Sequence, residues 1–108
     1  MLQYEIQIYT YKINLFEKEK IMIVYQILQE TLCNPEIGIY TAYAVCAYER
    51  QNGNNVLRSY TSDVFLNKEE AETFVTLCNR LHLSLIHLPD AIEDALAGAY
   101  SSLSNKYS

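Results

Sequence analysis

Hydrophobic and polar residues alternate from the first positions of the chain. Leu2, Tyr4, Ile6 and Ile8 stand against Gln3, Glu5 and Gln7, and a period of two is that of a strand. The phase then slips to Tyr9, Tyr11 and Ile13, as a bulge or a strand passing to a sheet edge would produce. Beyond the polar run Glu17-Lys18-Glu19-Lys20, the stretch Ile21 to Leu32 reads two ways. Ile21, Val24, Tyr25, Leu28 and Leu32 recur at helical spacing. Yet Ile21, Ile23, Val24 and Ile27 are β-branched, which restricts χ1 and favours extended backbone, so a strand is the preferred reading. Asn34-Pro35 ends it. The clearest strand is Ile37 to Arg50, with Ile37, Ile39, Tyr43, Val45 and Ala47 on one side and Tyr40, Ala42, Ala44, Cys46 and Tyr48 on the other. Apolar residues on both sides mark a central strand, and the small Ala42, Ala44 and Cys46 are expected to admit a helix on theirs. Gln51-Asn52-Gly53-Asn54-Asn55 reads as a hairpin loop, with Asn52-Gly53 supplying the positive φ angles. Val56 to Leu66 returns, with Tyr60, Val64 and Leu66 on one face and Leu57 and Phe65 on the other.

The period then changes. Asn67 is a good N-cap with Glu70 three residues on, and Glu69, Glu70 and Glu72 suit the positive end of a helix dipole. Ala71, Phe74, Val75, Cys78 and Leu81 form a buried stripe, leaving Thr73, Thr76, Asn79 and Arg80 to face outward. His82 to His87 is a connection. Pro89 fits a first helical turn, where its missing N–H is no loss, and Leu88, Ile92, Ala95, Leu96 and Ala99 make a second stripe. The expected architecture is one α+β domain over residues 1–100. An antiparallel meander of about four strands is followed by two C-terminal helices packed on one face. A Ser-rich tail, 101–108, is expected to fray.

Composition narrows the setting. The chain has 108 residues, enough for one core. Half are hydrophobic and 19% charged, a globular balance. No apolar run is long enough to span a bilayer, and Met1-Leu2-Gln3-Tyr4-Glu5 lacks the basic-then-apolar layout of a secretory leader. Thirteen acids against eight scattered bases, a net charge of −5, disfavour direct nucleic-acid binding, which needs clustered cations. Cys33, Cys46 and Cys78 are odd in number and contain no CxxC pair, so they read as reduced thiols in a cytoplasmic protein. Ten tyrosines, with three phenylalanines and no tryptophan, suggest a sheet whose second face is incompletely covered.

Chemistry-bearing patterns are few. The sequence contains no Gly-rich phosphate loop, no GxSxG elbow and no HExxH pair. Cys78 and His82, at i and i+4, would share a face if the helix continued, and His87 and Asp90 could complete a tetrahedral metal set. The simpler reading places Cys78 in the apolar stripe and both histidines at helix ends. No cofactor is expected. Asp90, Glu93 and Asp94 read either as a solvated helical face or as a contact for a basic partner. Tyr40, Tyr48 and Tyr60 read either as a wet sheet face or as a protein interface, where Tyr is enriched.

The segment Asn67 to Leu96, NKEEAETFVTLCNRLHLSLIHLPDAIEDAL, resembles the end of a family of small bacterial proteins of unknown function. The resemblance lies in a tyrosine-containing strand like Tyr43-Ala44-Val45 and a helix like Glu70 to Leu81. It continues through Ser84-Leu85-Ile86-His87-Leu88-Pro89-Asp90 into an acidic helix like Ile92-Glu93-Asp94. Where that family often has Gly after its Tyr, this chain has Ala44. The resemblance implies a bacterial, cytosolic setting and carries no activity or catalytic residue. The reading that results is a non-catalytic protein-interaction or regulatory module, with a homodimer as one form and Tyr40, Tyr48, Tyr60, Asp90, Glu93 and Asp94 as its contact surface. Two alternatives stand beside it. One is a small metal- or ligand-dependent enzyme using Cys78, His82 and His87; the other is a mobile-element-encoded inhibitor of a host nucleic-acid enzyme.

Overall fold

A computed structural model describes residues 22–98 together with Leu103 and Lys106. Three strands form one antiparallel sheet in the order β1-β2-β3: β1 (Met22–Asn34), β2 (Gly38–Gln51) and β3 (Asn54–Phe65). The β-branched run of β1 does form a strand, paired with β2 from Met22↔Arg50 to Asn34↔Gly38 without interruption. Asn34 shapes the first turn, its Oδ1 accepting from the backbone N–H of Glu36 at 2.7 Å. The β2–β3 connection is shorter than the expected loop over Gln51 to Asn55: the strands run to Gln51 and from Asn54, leaving a two-residue turn with φ of +50° at Asn52 and +82° at Gly53, both in the left-handed region that such a turn requires. The strand expected at Leu2 to Ile13 lies outside the described residues, so the sheet described has three strands and not about four.

β3 departs from a regular ladder twice. Ala47 faces Ser59 while the next residue, Tyr48, faces Leu57, so Arg58 is an extra residue. Further on, Val45 faces Thr61 but Tyr43 faces Phe65, which places two more β3 residues than β2 residues in that interval. The first insertion, of one residue, flips which side chains share a face, whereas the second, of two, leaves Thr61 and Phe65 on the same face. Leu57 therefore lies on the same face as Tyr60, and not opposite it as strict alternation predicts.

Two helices follow. α1 (Lys68–Arg80) begins at Asn67, whose Oδ1 accepts from the Glu70 N–H at 3.0 Å. It ends because His82 turns into the left-handed region, φ +52°. The N–H groups of His82 and Leu83 then bond the carbonyls of Asn79 (3.2 Å) and Cys78 (3.0 Å), closing the helix by a Schellman arrangement. A single 3-10 turn, Leu85–His87, leads into α2 (Leu88–Leu96), with Pro89 in its first turn.

The core lies on one side of the sheet. Tyr25, Val45, Ala47 and Phe65 pack against Ala71, Phe74, Val75, Leu77 and Cys78 of α1 and against Leu88, Ala91, Ile92 and Ala95 of α2. Phe65 and Phe74 meet with ring centroids 5.5 Å apart, and burying each such ring contributes roughly 1.5–3 kcal/mol. The helices thus cover the Val45 and Ala47 side, and not the Ala42, Ala44 and Cys46 side as the small residues suggested. The physical reason is apolar area. Tyr25, Ile23, Ile27, Tyr43 and Phe65 all project to the helix side and offer far more surface to remove from water. In α2, Leu96 is exposed and Ala91 takes the buried position beside Ile92; Ala99 lies outside the described residues. Within the stretch read as a tail, Leu103 is helical and buried, and Lys106 is helical.

Asn79 was expected to face solvent. It is half-buried and pairs with the outer edge of β1. Its Oδ1 accepts from the Tyr25 N–H at 2.8 Å and its Nδ2 donates to the Tyr25 carbonyl at 3.0 Å. An amide side chain carries the same donor–acceptor pair as a peptide, so Asn79 stands in for a neighbouring strand at that point. The Tyr25 hydroxyl reaches the Leu83 carbonyl at 2.8 Å, and burial raises its pKa, the nearby Cys78 adding to the effect. One residue of β1 is thereby tied to both the end of α1 and the loop beyond it.

Candidate functional site

The opposite face of the sheet has no described helix or strand over it. Register places Met22, Val24, Gln26, Leu28, Glu30 and Leu32 of β1, Tyr40, Ala42, Ala44, Cys46, Tyr48 and Arg50 of β2, and Leu57 and Tyr60 of β3 on this side. The central strand is low there: Ala42, Ala44 and Cys46 are buried, at 0%, 0% and 3% exposure. The flanking strands stand higher, with Leu28, Leu57 and Tyr60 each about half exposed, at 50%, 51% and 49%. The result is a shallow trough floored by small residues, its borders carrying Leu28, Leu57 and Tyr60 with the polar Gln26 and Glu30 among them.

Across one end of the trough runs a polar network. Because Ala42 has no bulk, Glu30 on β1 reaches over β2 to β3. Its carboxylate accepts from the Tyr60 hydroxyl, from Ser62 Oγ at 2.9 Å to each oxygen, and from the Asp63 N–H at 3.0 Å. Asp63 has φ +58°, a conformation that Asp tolerates better than most residues with a Cβ. The Tyr40 hydroxyl donates to Asp63 Oδ2 at 2.7 Å. The second β3 irregularity is therefore pinned by a carboxylate two strands away.

The electrostatics follow from these bonds. Glu30 is held below the ordinary carboxylate range, chiefly by the Tyr60 hydroxyl; desolvation opposes this, and the Asp63 N–H and the Ser62 hydroxyl add to the lowering. The phenols of Tyr60 and Tyr40 are pushed up, each first by donating to a carboxylate. Desolvation raises the Cys46 thiol, with the Tyr48 hydrogen bond opposing and the Glu30 charge adding. The Glu30 carboxylate thus accepts from three donors, the Tyr60 and Ser62 hydroxyls and the Asp63 N–H. A thiol kept protonated is a poor nucleophile. The Glu30 bonds tie β1 to β3 across the central strand at this end of the trough.

The structure divides the sequence-predicted surface in two. Tyr40, Tyr48 and Tyr60 come together on the open face. Asp90, Glu93 and Asp94 lie on α2, on the other side of the sheet. Asp90 and Glu93 are exposed there, whereas Asp94 is engaged within the chain, bonded to Lys106 Nζ at 3.0 Å. Cys78, His82 and His87 are not brought together. Cys78 is buried in α1, and burial pushes its thiol up to about 12. The left-handed turn carries His82 off the helix, and both histidines are exposed. Among the described residues no group of three His, Cys, Asp or Glu side chains could hold a metal ion. A groove of about 500 Å³ between β3 and α2 is mostly apolar. The one charged residue in its lining is Arg58, paired with Glu49 at 3.2 Å.

Glu30, Ser62, Asp63 and Arg50 were not singled out from the sequence. The available signal was a glutamate inside a β-branched strand, in a chain whose central strand carries alanines on one face. Without the register between β1 and β3 that signal has no address. Among the described residues no helix is long and apolar enough to cross a membrane. No curated protein and no solved structure matches the chain. A family model does match, over residues 4–98, extending well upstream of the segment on which the resemblance rested; the chain belongs to that family, the family of unknown function DUF6514.

Proposed function

We propose that this chain is a non-catalytic interaction module that receives a protein on its open sheet face. The observation that supports this best is the half-exposure of Leu28, Leu57 and Tyr60 around a floor of small buried residues. Side chains of this kind on one face form an apolar patch of the sort that interaction sites use. Tyrosines at its margin add contact area at little entropic cost. The acidic helix is not part of this surface.

The test is a double variant, Leu28→Asp with Leu57→Asp, compared with the unaltered chain in affinity purification from the source cells, with folding of both checked by circular dichroism. A protein bound in stoichiometric amount to the unaltered chain and missing from the variant supports the proposal. An unchanged set of bound proteins defeats it. So does binding lost only on charge reversal at Asp90 and Glu93.

A further inference from the structure

We infer that the protein received on the open face is a second copy of this chain, turned end for end and stacked face to face. The inference rests on the interaction reading above and names its partner.

Shape is the first argument. A sheet with a low central strand and two raised borders can pack on a copy of itself, because the border of one sheet enters the trough of the other. Packed sheets sit about 10 Å apart with strands offset by about 30°, which sets a border obliquely across the opposing trough.

Charge is the second. Arg50 is exposed on this face near one end of β2, its Nε donating to Asn55 Oδ1 at 3.1 Å. Glu30, opposite Ala42, and Asp63 lie at the other end. The midpoint of β2 between Arg50 and Ala42 is Cys46. A two-fold axis between the sheets and over Cys46 reverses the strand direction and sets Arg50 above the partner's Ala42. The offset between packed sheets shifts the guanidinium sideways by roughly 6 Å. Glu30 of β1 stands beside Ala42 there, and on the β3 side Asp63, in the interval opposite Ala44, holds its carboxylate on the Tyr40 hydroxyl. A face that is cationic at one end and anionic at the other complements itself only when turned in this way, which is the condition for an isologous dimer.

The edges supply the third. Asn79 occupies the outer edge of β1 at Tyr25, and β3 is twice irregular, a device that blunts strand-to-strand pairing. Edge association is thus opposed on both sides of the sheet, whereas the face is not obstructed by any described element. Three strands of 13, 14 and 12 residues, about 4.8 Å apart, give a footprint of roughly 600 Å² per copy, below the ~800 Å² of a standard interface. The association expected is accordingly reversible, in the micromolar range.

Sedimentation equilibrium of the full chain, from low-micromolar to near-millimolar concentration, tests this. A monomer–dimer equilibrium is expected. Arg50→Glu should weaken it at least about tenfold, Leu28→Asp should do the same, and Glu93→Lys on the helix side should leave it unchanged. Hydroxyl-radical labelling of the same samples separates the failures. A chain that stays monomeric with Leu28 and Tyr60 readily labelled overturns the self-association but leaves the face to a different protein. A monomer in which those residues are shielded means that the chain covers its own face, which overturns both proposals. A dimer insensitive to Arg50→Glu and Leu28→Asp forms elsewhere and overturns the inference.

Discussion

Val45 and Ala44 are neighbours on one strand, and both are wholly buried, yet they are buried by different means. Val45 lies under two helices in an apolar core that includes Phe65 and Phe74. Ala44 lies on a face with no described element over it, between taller side chains of the flanking strands. On the first face burial comes from apolar packing between layers. On the second it accompanies a polar bridge within a layer, from Glu30 across β2 to Tyr60, Ser62 and Asp63. The contrast shows that low exposure in a sheet does not by itself reveal where the protein keeps its core.

The largest expected effect tests whether the two faces differ in stability. Phe74→Ala should cost about 3–5 kcal/mol by removing a ring from the closed core. Leu28→Ala on the open face should cost about 1 kcal/mol or less, since half the side chain is already in water. Urea unfolding of both variants measures the difference, and equal losses would mean that the open face is as firmly packed as the covered one. Next in size, Asn79→Ala should cost about 1–3 kcal/mol, because it leaves the Tyr25 N–H and carbonyl without their partner. It should also free a strand edge, so light scattering should show aggregation that the parent chain lacks.

A smaller pair of effects probes the trough. Ala47→Leu under the helices should cost about 1–3 kcal/mol through overpacking. Ala42→Leu should cost less, because an added side chain on this face can lean toward solvent, but it should obstruct the reach of Glu30. Carboxyl NMR titration would register that as a return of Glu30 toward the ordinary carboxylate value; an unmoved titration would show that the bridge does not depend on a small central residue. The smallest effect concerns pH. Glu30 titrates below its unfolded value in the folded chain. Its stabilising contribution is therefore fully present above the ordinary carboxylate range and is lost as pH falls through the folded value. Unfolding midpoints of the parent should fall more steeply than those of Glu30→Gln over that interval, and parallel curves would remove the network from any role in stability.

Much of the fold was readable from neighbours in the chain. The β-branched residues around Ile23 and Val24 favoured a strand over the competing helical spacing, and Asn52-Gly53 located the hairpin. Asn67 and Pro89 marked the helix starts. The candidate surface was half readable. Tyr40, Tyr48 and Tyr60 do share a face. Asp90, Glu93 and Asp94 were joined to them only by being polar, and α2 carries those acids to the far side, where Asp94 binds Lys106. The metal alternative needed the helix to continue through His82, and the helix ends at Arg80, in keeping with the reading of His82 to His87 as a connection.

Local chemistry along the chain was sufficient for the kind and order of the elements and for their turns, because β-branching, capping and positive φ act over a few residues. Packing in three dimensions settled the rest: which face the helices cover, where Glu30 finds its donors, and why Asn79 turns inward. Those outcomes depend on register. The extra residue at Arg58 changes which β3 side chains share a face, the two around Asp63 change which residues stand opposite one another, and no local pattern carries either offset.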